Sequence, residues 1–260
     1  MEFIDMNNLR ERLPNLKQQF QAQKPFRFVM FDHFFKAEKA EQILREYPVP
    51  NNDTWNGTTY IDQKNKFVKN NFQFLPLFQQ VFNELNAPEF LAWLEELTNI
   101  EEPLLADPSL FGAGLHQSMN GAFLNVHVDY NIHPETKFHR RLNVLVYMNP
   151  NWKEEYNGHI ELWDLTGKAR QQLGRFSPGF NRCVIFETNE ISFHGHPKKL
   201  NTPEGVSRKS LATYYYTKNR PTHETAAEHN TIFVNLEGLP GRVKQLSSGV
   251  KAFLERINKK

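Results

Sequence analysis

Asn125-Val126-His127-Val128-Asp129-Tyr130 sets a histidine and a carboxylate two residues apart in an apolar, β-favouring run. On an extended strand both side chains leave the same face of the sheet, so a ring nitrogen and a carboxylate oxygen converge on one point. That geometry suits a metal ion. A second imidazole from a distant strand would complete two histidines and one carboxylate on one side of the ion, with its other positions open. His194 is the foremost candidate, and His196 shares its strand face in Phe193-His-Gly-His196, so parity does not separate the two. In a chain with ten histidines the pair also arises by chance, and an ordinary His–Asp contact is then its commoner meaning. Its weight comes from what surrounds it.

Outward from this strand the texture is β. Runs rich in Val, Ile, Phe, Tyr and Leu at 110–118, 122–129, 141–148, 158–163, 182–187, 191–195 and 208–217 alternate with Gly, Asn and Pro. Short strands divided by turns, with no helical period between them, indicate an antiparallel sandwich or barrel rather than a βαβ fold. The expected fold is mainly β with flanking helices, a single domain over 1–260 in three parts. These are a helical and stranded support over 1–105, the β core over 106–218, and an extension over 219–260.

The flanks are read from periodicity. Leu9, Leu13, Leu16 and Phe20 form the apolar stripe of a helix over 7–23, interrupted by Pro14. Phe26 to Phe35 is strand-like, 36–47 is helical, and 75–98 holds two consecutive helices either side of Pro88. Residues 51–71 lack a clean period and read as a solvated loop, or as a flap whose Trp55, Tyr60, Phe67 and lysines cover a pocket. Beyond an irregular stretch over 218–241, Val243, Leu246, Val250, Phe253, Leu254 and Ile257 predict a C-terminal amphipathic helix.

Composition narrows the function classes. With 22 Phe, large rings must fill the interior or line a pocket. The net charge is +2 and the basic residues are spread along the chain, which leaves no nucleic-acid footprint. The lone Cys183 excludes an intramolecular disulfide and a multi-cysteine zinc site. No secretory signal opens the sequence and no stretch approaches the ~18 apolar residues of a membrane span. The expectation is a cytoplasmic protein with no membrane or nucleic-acid partner, acting on a small-molecule or peptidyl substrate, its oligomeric state unspecified.

Strand parity adds a second group of residues. Arg208, Ser210, Ala212, Tyr214 and Tyr216 share one face of the last long strand, and Arg141, Asn143, Leu145 and Tyr147 share one face of another. If these faces point into a barrel, Arg208 is a buried cation that must find an anion, because leaving it unpaired costs several kcal/mol. A dicarboxylic ligand would supply that anion, with hydroxyls of Ser210 and Tyr147 as further donors. The plainer reading of Arg208 is a salt bridge to a local acid. Lys209 lies on the wrong face to replace it.

In chain order stand His127-x-Asp129, Arg141-Leu-Asn-Val-Leu-Val-Tyr147-Met-Asn149, Trp152, Gly158, Val184-Ile-Phe186, Ser192-Phe-His194 and Arg208-x-Ser210. This series, over about 110–217, resembles the Fe(II)- and 2-oxoglutarate-dependent dioxygenases, in particular the prolyl 4-hydroxylase-like branch. The resemblance implies a double-stranded β-helix, a cupin-like jelly roll, with His127, Asp129 and His194 as metal ligands. His194 is preferred to His196 for its spacing after Phe186. The resemblance further implies that Arg208, with Ser210 and Tyr147, anchors the far carboxylate of 2-oxoglutarate, and that Tyr214 lines the pocket. Asn143 and Arg141 are expected beside it. The cofactors implied are Fe(II), 2-oxoglutarate and O2, with ascorbate as an accessory reductant. The activity implied is hydroxylation of an unactivated C–H bond in a prolyl, peptidyl or small-molecule substrate, with formation of succinate and CO2.

The gap between His194 and Arg208 is longer than the family's, and Pro197, Pro203 and Gly205 suggest an inserted turn. Two alternatives stand beside this reading: a jelly-roll binding module without turnover, and a cupin-like metalloenzyme that does not use 2-oxoglutarate. His33, His116, His133, His139, His159, His223 and His229 are expected in surface or hydrogen-bonded structural roles. Glu161 and Asp164 are expected to face outward, and Arg140 and Arg141 to meet an acidic substrate at the mouth or a solvated carboxylate.

Overall fold

The aromatic stretch from Phe26 becomes a strand, and the helical stripes on either side of it become the layer that covers the sheet. The structure, a computed structural model, describes residues 1–50, 55–60, 62–73, 75–167, 169–234 and 236. In chain order the elements are α1 (Met6–Ala22), β1 (Phe28–Asp32), α2 (Ala37–Arg45), β2 (Asn56–Tyr60), β3 (Gln63–Lys69), α3 (Pro76–Leu85) and α4 (Pro88–Thr98). They continue as β4 (Leu105–Ala106), β5 (Gly114–Val128), β6 (His139–Tyr147), β7 (Ile160–Asp164), β8 (Gln171–Phe176), β9 (Arg182–Glu187), β10 (Phe193–His196), β11 (Arg208–Thr217) and β12 (Ile232–Phe233). The predicted C-terminal helix lies outside the described residues. Among them, no helix is long and apolar enough to cross a membrane.

Helix α1 starts where the Asp5 side chain accepts the Asn8 amide at 3.2 Å, an N-cap that satisfies one orphan donor. It runs unbroken through Pro14, contrary to the expected interruption. Proline in a helix interior costs about 3 kcal/mol, but breaking the helix there would strip Leu9, Leu13, Leu16 and Phe20 from the core. All four are buried, and each such side chain contributes ~1.5–3 kcal/mol. These residues and Phe90, Trp93, Leu94 and Leu97 of α4 join one cluster with Leu142, Val144, Val146, Ile185, Leu211 and Tyr215. The helices therefore cover one face of β6, β9 and β11, and alternation turns Asn143, Leu145, Tyr147, Arg208, Ser210 and Tyr214 to the other.

The strands follow the order β1-β9-β6-β11-β5-β10-β7-β8, and every pairing is antiparallel. The corner is β5, which is one 15-residue strand and not the two separate runs expected. Its first part, Gly114–Ser118, pairs with β11, whereas Leu124 and His127 pair with β10. By changing partners along one edge, β5 belongs to both leaves and rolls the sheet into a nearly closed double-stranded β-helix.

Three further elements escaped the pattern of the sequence. Residues 51–71 contain the hairpin β2–β3, and β3 pairs along β5 from Lys69↔Leu115 to Gln63↔Leu124. Backbone pairing of β3 with both β2 and β5 carries the hairpin, so it forms without an apolar stripe. Strand β8 pairs only with β7 at the end of the path, and β12 closes on β5 through Ile232↔Val128 and Phe233↔His127.

Candidate metal centre and its cavity

His127 of β5 and His194 of β10 are direct cross-strand partners, so their rings meet on the inner face with centroids 4.4 Å apart. Asp129, two residues after His127, joins them. Its Oδ1 lies 3.5 Å from His127 Nε2 and its Oδ2 3.4 Å from His194 Nε2. Among the described residues this is the cluster whose ligand atoms all fall within 4.8 Å of one another. His196 is not in it: β5 bulges between the two pairings, and His196 sits opposite Leu124. Gly195 permits this tight crossing, since a Cβ there would come within 2.8 Å of the Leu124 and Asn125 carbonyls.

The donor set fits a divalent metal. His127 Nδ1 faces the Asn125 carbonyl at 2.8 Å and His194 Nδ1 faces the Ser192 carbonyl at 2.9 Å. A carbonyl only accepts, so each Nδ1 carries the proton and each Nε2 turns a lone pair to the centre. Burial, together with the neighbouring His127, pushes His194 down to about 3, so it is a neutral imidazole at physiological pH. Burial by itself would raise the Asp129 carboxyl; Arg140, His194 and His127 outweigh it and hold the group well below the usual range.

Arg140 is the residue that parity reasoning missed. Its Nη2 lies 3.0 Å from Asp129 Oδ2, and its Nε and Nη2 donate to Asn143 Oδ1 at 3.0 and 2.7 Å. Asn143 in turn donates from Nδ2 to Asp129 Oδ2 at 2.7 Å. The guanidinium lies over the rings of Tyr214 and Tyr130, with Cζ 3.5 and 4.5 Å from their centroids. Arg141, the residue expected at the pocket, is not brought there. Its guanidinium reaches Glu224 at 3.3 Å, in a separate groove. The cause is a bulge: β11 pairs Tyr215 with Leu142 and then Tyr216 with Arg140, so Arg141 is an extra residue and parity inverts before it.

A cavity of about 580 Å³, counting the open space at its mouth, runs from this centre to Arg208. Asn143, Leu145, Tyr147, His196, Ser210 and Tyr214 line it, as do Lys66 and His116. Arg208 is 7% exposed, and no carboxylate among the described residues lies within ion-pair distance of it. Instead Nε donates to the Gly158 carbonyl at 2.7 Å and Nη2 to the Tyr147 hydroxyl at 3.1 Å. Gly158 has φ +70°, and a Cβ on it would strike Leu200 at 2.4 Å and crowd Arg208 at 3.1 Å. Burial raises the Tyr147 hydroxyl's pKa against the pull of Arg208. It accepts from Arg208 and keeps its own proton to donate. His196 is buried with Nδ1 lacking a hydrogen-bond partner. A buried guanidinium without a carboxylate and an orphaned imidazole nitrogen in one cavity are what an anionic ligand would satisfy.

Other placements complete the comparison with the sequence. His116 is buried on the cavity wall, hydrogen-bonded to the Gly112 carbonyl at 3.1 Å, and burial keeps it neutral. His133 and His229 lie near Asp107 and Glu190, at 3.4 and 3.6 Å. Glu161 is buried, not outward, and accepts from Trp163 at 3.1 Å. Lys66, on the segment expected to be a solvated loop or a flap whose cations cover a pocket, lines the cavity, and its pKa is pulled down to about 8 by burial, against the field of Asp129 and with that of Arg208.

With this geometry established, comparison with known proteins is specific. Residues 113–216 match the 2OG-Fe(II) oxygenase superfamily. Prolyl 3-hydroxylase OGFOD1 of Mus musculus is 25% identical over 135 residues, which cover 51% of this chain and 22% of that protein. The chain thus spans less than a quarter of that relative's length. A prolyl hydroxylase of Trichoplax adhaerens, solved with a hypoxia inducible factor oxygen degradation domain peptide fragment, superposes with TM-score 0.57 at 12% identity. That alignment covers 82% of this chain and 92% of the other. HygX of Streptomyces hygroscopicus, solved with nickel, 2-oxoglutarate and hygromycin B, gives 0.50 at 13% identity, over 85% of this chain and 97% of the other. At such identities these likenesses describe the fold.

Proposed function

We propose that this chain, whose residues 113–216 belong to the 2OG-Fe(II) oxygenase superfamily, is an Fe(II)- and 2-oxoglutarate-dependent hydroxylase with His127, Asp129 and His194 as its metal ligands. The observation that carries the reading is the pairing of two sites in one cavity: a neutral-imidazole and carboxylate triad at one end and a buried guanidinium without a carboxylate at the other. A diacid that chelates a metal through one end and needs a cation at the other fits both. A cupin-like metalloenzyme that ignores 2-oxoglutarate would leave Arg208 without a task.

When bound, iron and 2-oxoglutarate supply O2 activation, with oxidative decarboxylation to succinate and CO2 and transfer of one oxygen atom to the substrate. Each step that the protein performs falls to named residues. The Asn125 and Ser192 carbonyls orient the two imidazoles. Arg140 and Asn143 keep Asp129 ionised and fixed, so that it binds without first losing a proton. Arg208 and the Tyr147 proton take the far carboxylate, with Ser210 and His196 on the same wall. Leu124, Leu145 and Ile160 give the cavity apolar sides that exclude water from the reacting centre.

The names of the relatives favour a prolyl residue in a peptide as the group hydroxylated, with a small molecule as the second class. Anaerobic addition of Fe(II) and then 2-oxoglutarate tests the core of the reading. A metal-to-ligand charge-transfer band is expected with both present. Metal binding without the band would favour a cupin-like enzyme, and binding of neither a module without turnover. A His127→Ala variant that formed succinate at the parent rate would overturn the assignment.

A further inference from the structure

One residue that lines the cavity, Lys66, comes from outside residues 113–216. Strand β3 sets Lys66 opposite Ser118 of β5, and Ser118 is opposite Arg208 of β11. Cross-strand partners share a face, so Lys66, Ser118 and Arg208 stand in one row. Neighbouring strands are ~4.8 Å apart, which places the Lys66 and Arg208 backbones about 10 Å from each other with the cavity against both. Local backbone selects Lys66 from its neighbours. Between Lys64↔Phe123 and Lys66↔Ser118 the register slips, Asn65 takes φ +49°, and Lys64 is left exposed while Lys66 lines the cavity. The cavity that Lys66 lines is the one that Asp129 and Arg208 line as well.

A diacid reaching from the triad to Arg208 would occupy the cavity that Lys66 lines. We propose that Lys66 is a second cationic contact for the far carboxylate of the co-substrate, closing from β3 while Arg208 and Tyr147 hold it from β11 and β6. Lys66 thereby strengthens the preference for a doubly charged 2-oxo acid over a singly charged one. The proposal rests on the 2-oxoglutarate reading above and extends it to a segment that the family match does not include.

Calorimetry on the full chain loaded with Mn(II), which binds without turnover, tests it with two ligands: 2-oxoglutarate and 2-oxopentanoate, which lacks the far carboxylate. Lys66→Met is expected to weaken 2-oxoglutarate about tenfold or more, 2-oxopentanoate less than about threefold, and Mn(II) less than about twofold. Lys66→Arg should keep 2-oxoglutarate binding within about threefold of the parent. If Lys66→Met does not fold, Lys66→Gln is measured in its place. Unchanged 2-oxoglutarate affinity in the variant, or equal loss of both acids, overturns the role of Lys66 and leaves the metal and Arg208 assignments standing. A parent protein that binds Mn(II) but not 2-oxoglutarate overturns the underlying reading as well.

Discussion

The Arg140 guanidinium lies 3.0 Å from Asp129 Oδ2, the oxygen that also accepts from Asn143, and sits over the Tyr214 ring. A carboxylate at this depth stays charged because a cation is fixed beside it. Replacing Arg140 by Met is expected to lower Mn(II) affinity by about 10- to 100-fold, the usual effect of losing a ligand's outer partner. Arg140→Lys should recover only part, because an ammonium lacks the planar fork that spans Asp129 and Asn143. Electron paramagnetic resonance of free Mn(II) measures both; unchanged affinity in Arg140→Met would remove Arg140 from this role.

Arg208→Met should separate metal binding from co-substrate binding. Mn(II) affinity is expected to stay within about twofold, while the rise in Tm on adding 2-oxoglutarate disappears. For the parent that rise corresponds to about 2.7 kcal/mol at a ligand concentration 100 times Kd. Without ligand the variant should be at least as stable as the parent, since a buried cation without a carboxylate is removed. A variant that kept the full Tm shift would contradict the anchor.

Arg141→Ala makes the contrasting control for the bulge in β6. Its guanidinium meets Glu224 in a pair whose side chains are 9% and 38% exposed, so a stability loss of about 1–3 kcal/mol is expected. Metal and 2-oxoglutarate affinities should both stay within about twofold. If Arg141→Ala weakened the metal as Arg140→Met does, the parity inversion at this position would be wrong.

Strand β12 packs the other edge of the triad strand, with Phe233 5.2 Å from the His127 ring and Val234 buried with Val126, Val128 and Phe193. Val234→Asp would place an unpaired charge there. The expected loss is about 3 kcal/mol or more, seen as a lowered Tm and as faster amide exchange at Val126 and Val128. Unaltered exchange would mean that β12 does not protect this edge.

Acid stability should carry the signature of the pair joining β1 to β9. Arg182 donates to Asp32 from Nε and Nη2 at 2.7 and 2.9 Å, and this hydrogen-bonded pairing holds the Asp32 carboxyl below its usual value against partial burial. A carboxyl whose pKa is lower when folded contributes its full stability above the unfolded value of ~3.9 and loses it as pH falls through the folded value. The Tm advantage of the parent over Arg182→Gln should therefore hold at pH 5–7 and shrink below about pH 4. A gap that stayed constant through that range would show that Arg182 acts through packing alone.

Much of the core was legible because strands alternate. The faces assigned to Asn143, Tyr147, Arg208, Ser210 and Tyr214 are the faces that line the cavity, and the pair His127 and His194 meets across two strands. What failed, failed where period is broken or absent. One extra residue in β6 exchanged Arg140 for Arg141. The hairpin β2–β3 carries Asn, Thr, Lys and Gln, and a register slip between Lys64 and Lys66 breaks the alternation that would mark its inner face. Met119-Asn-Gly121 reads as a turn between strands because of its Asn-Gly pair, but β5 passes through it, with Gly121 at φ +74° and open space where a side chain would stand.

That unbroken β5 has a metric consequence. Ser118, the neighbour of Arg208, and His127, at the triad, are carried on one continuous piece of backbone, so the interval between the two ends of the cavity is ruled off along a single strand. Between those ends the strand is irregular at two steps, at 119–122 and again between Leu124 and His127. Because side chains alternate along a strand, one residue added or removed between the ends would turn one grip away from the cavity, so the strand's own spacing sets the reach a ligand must have.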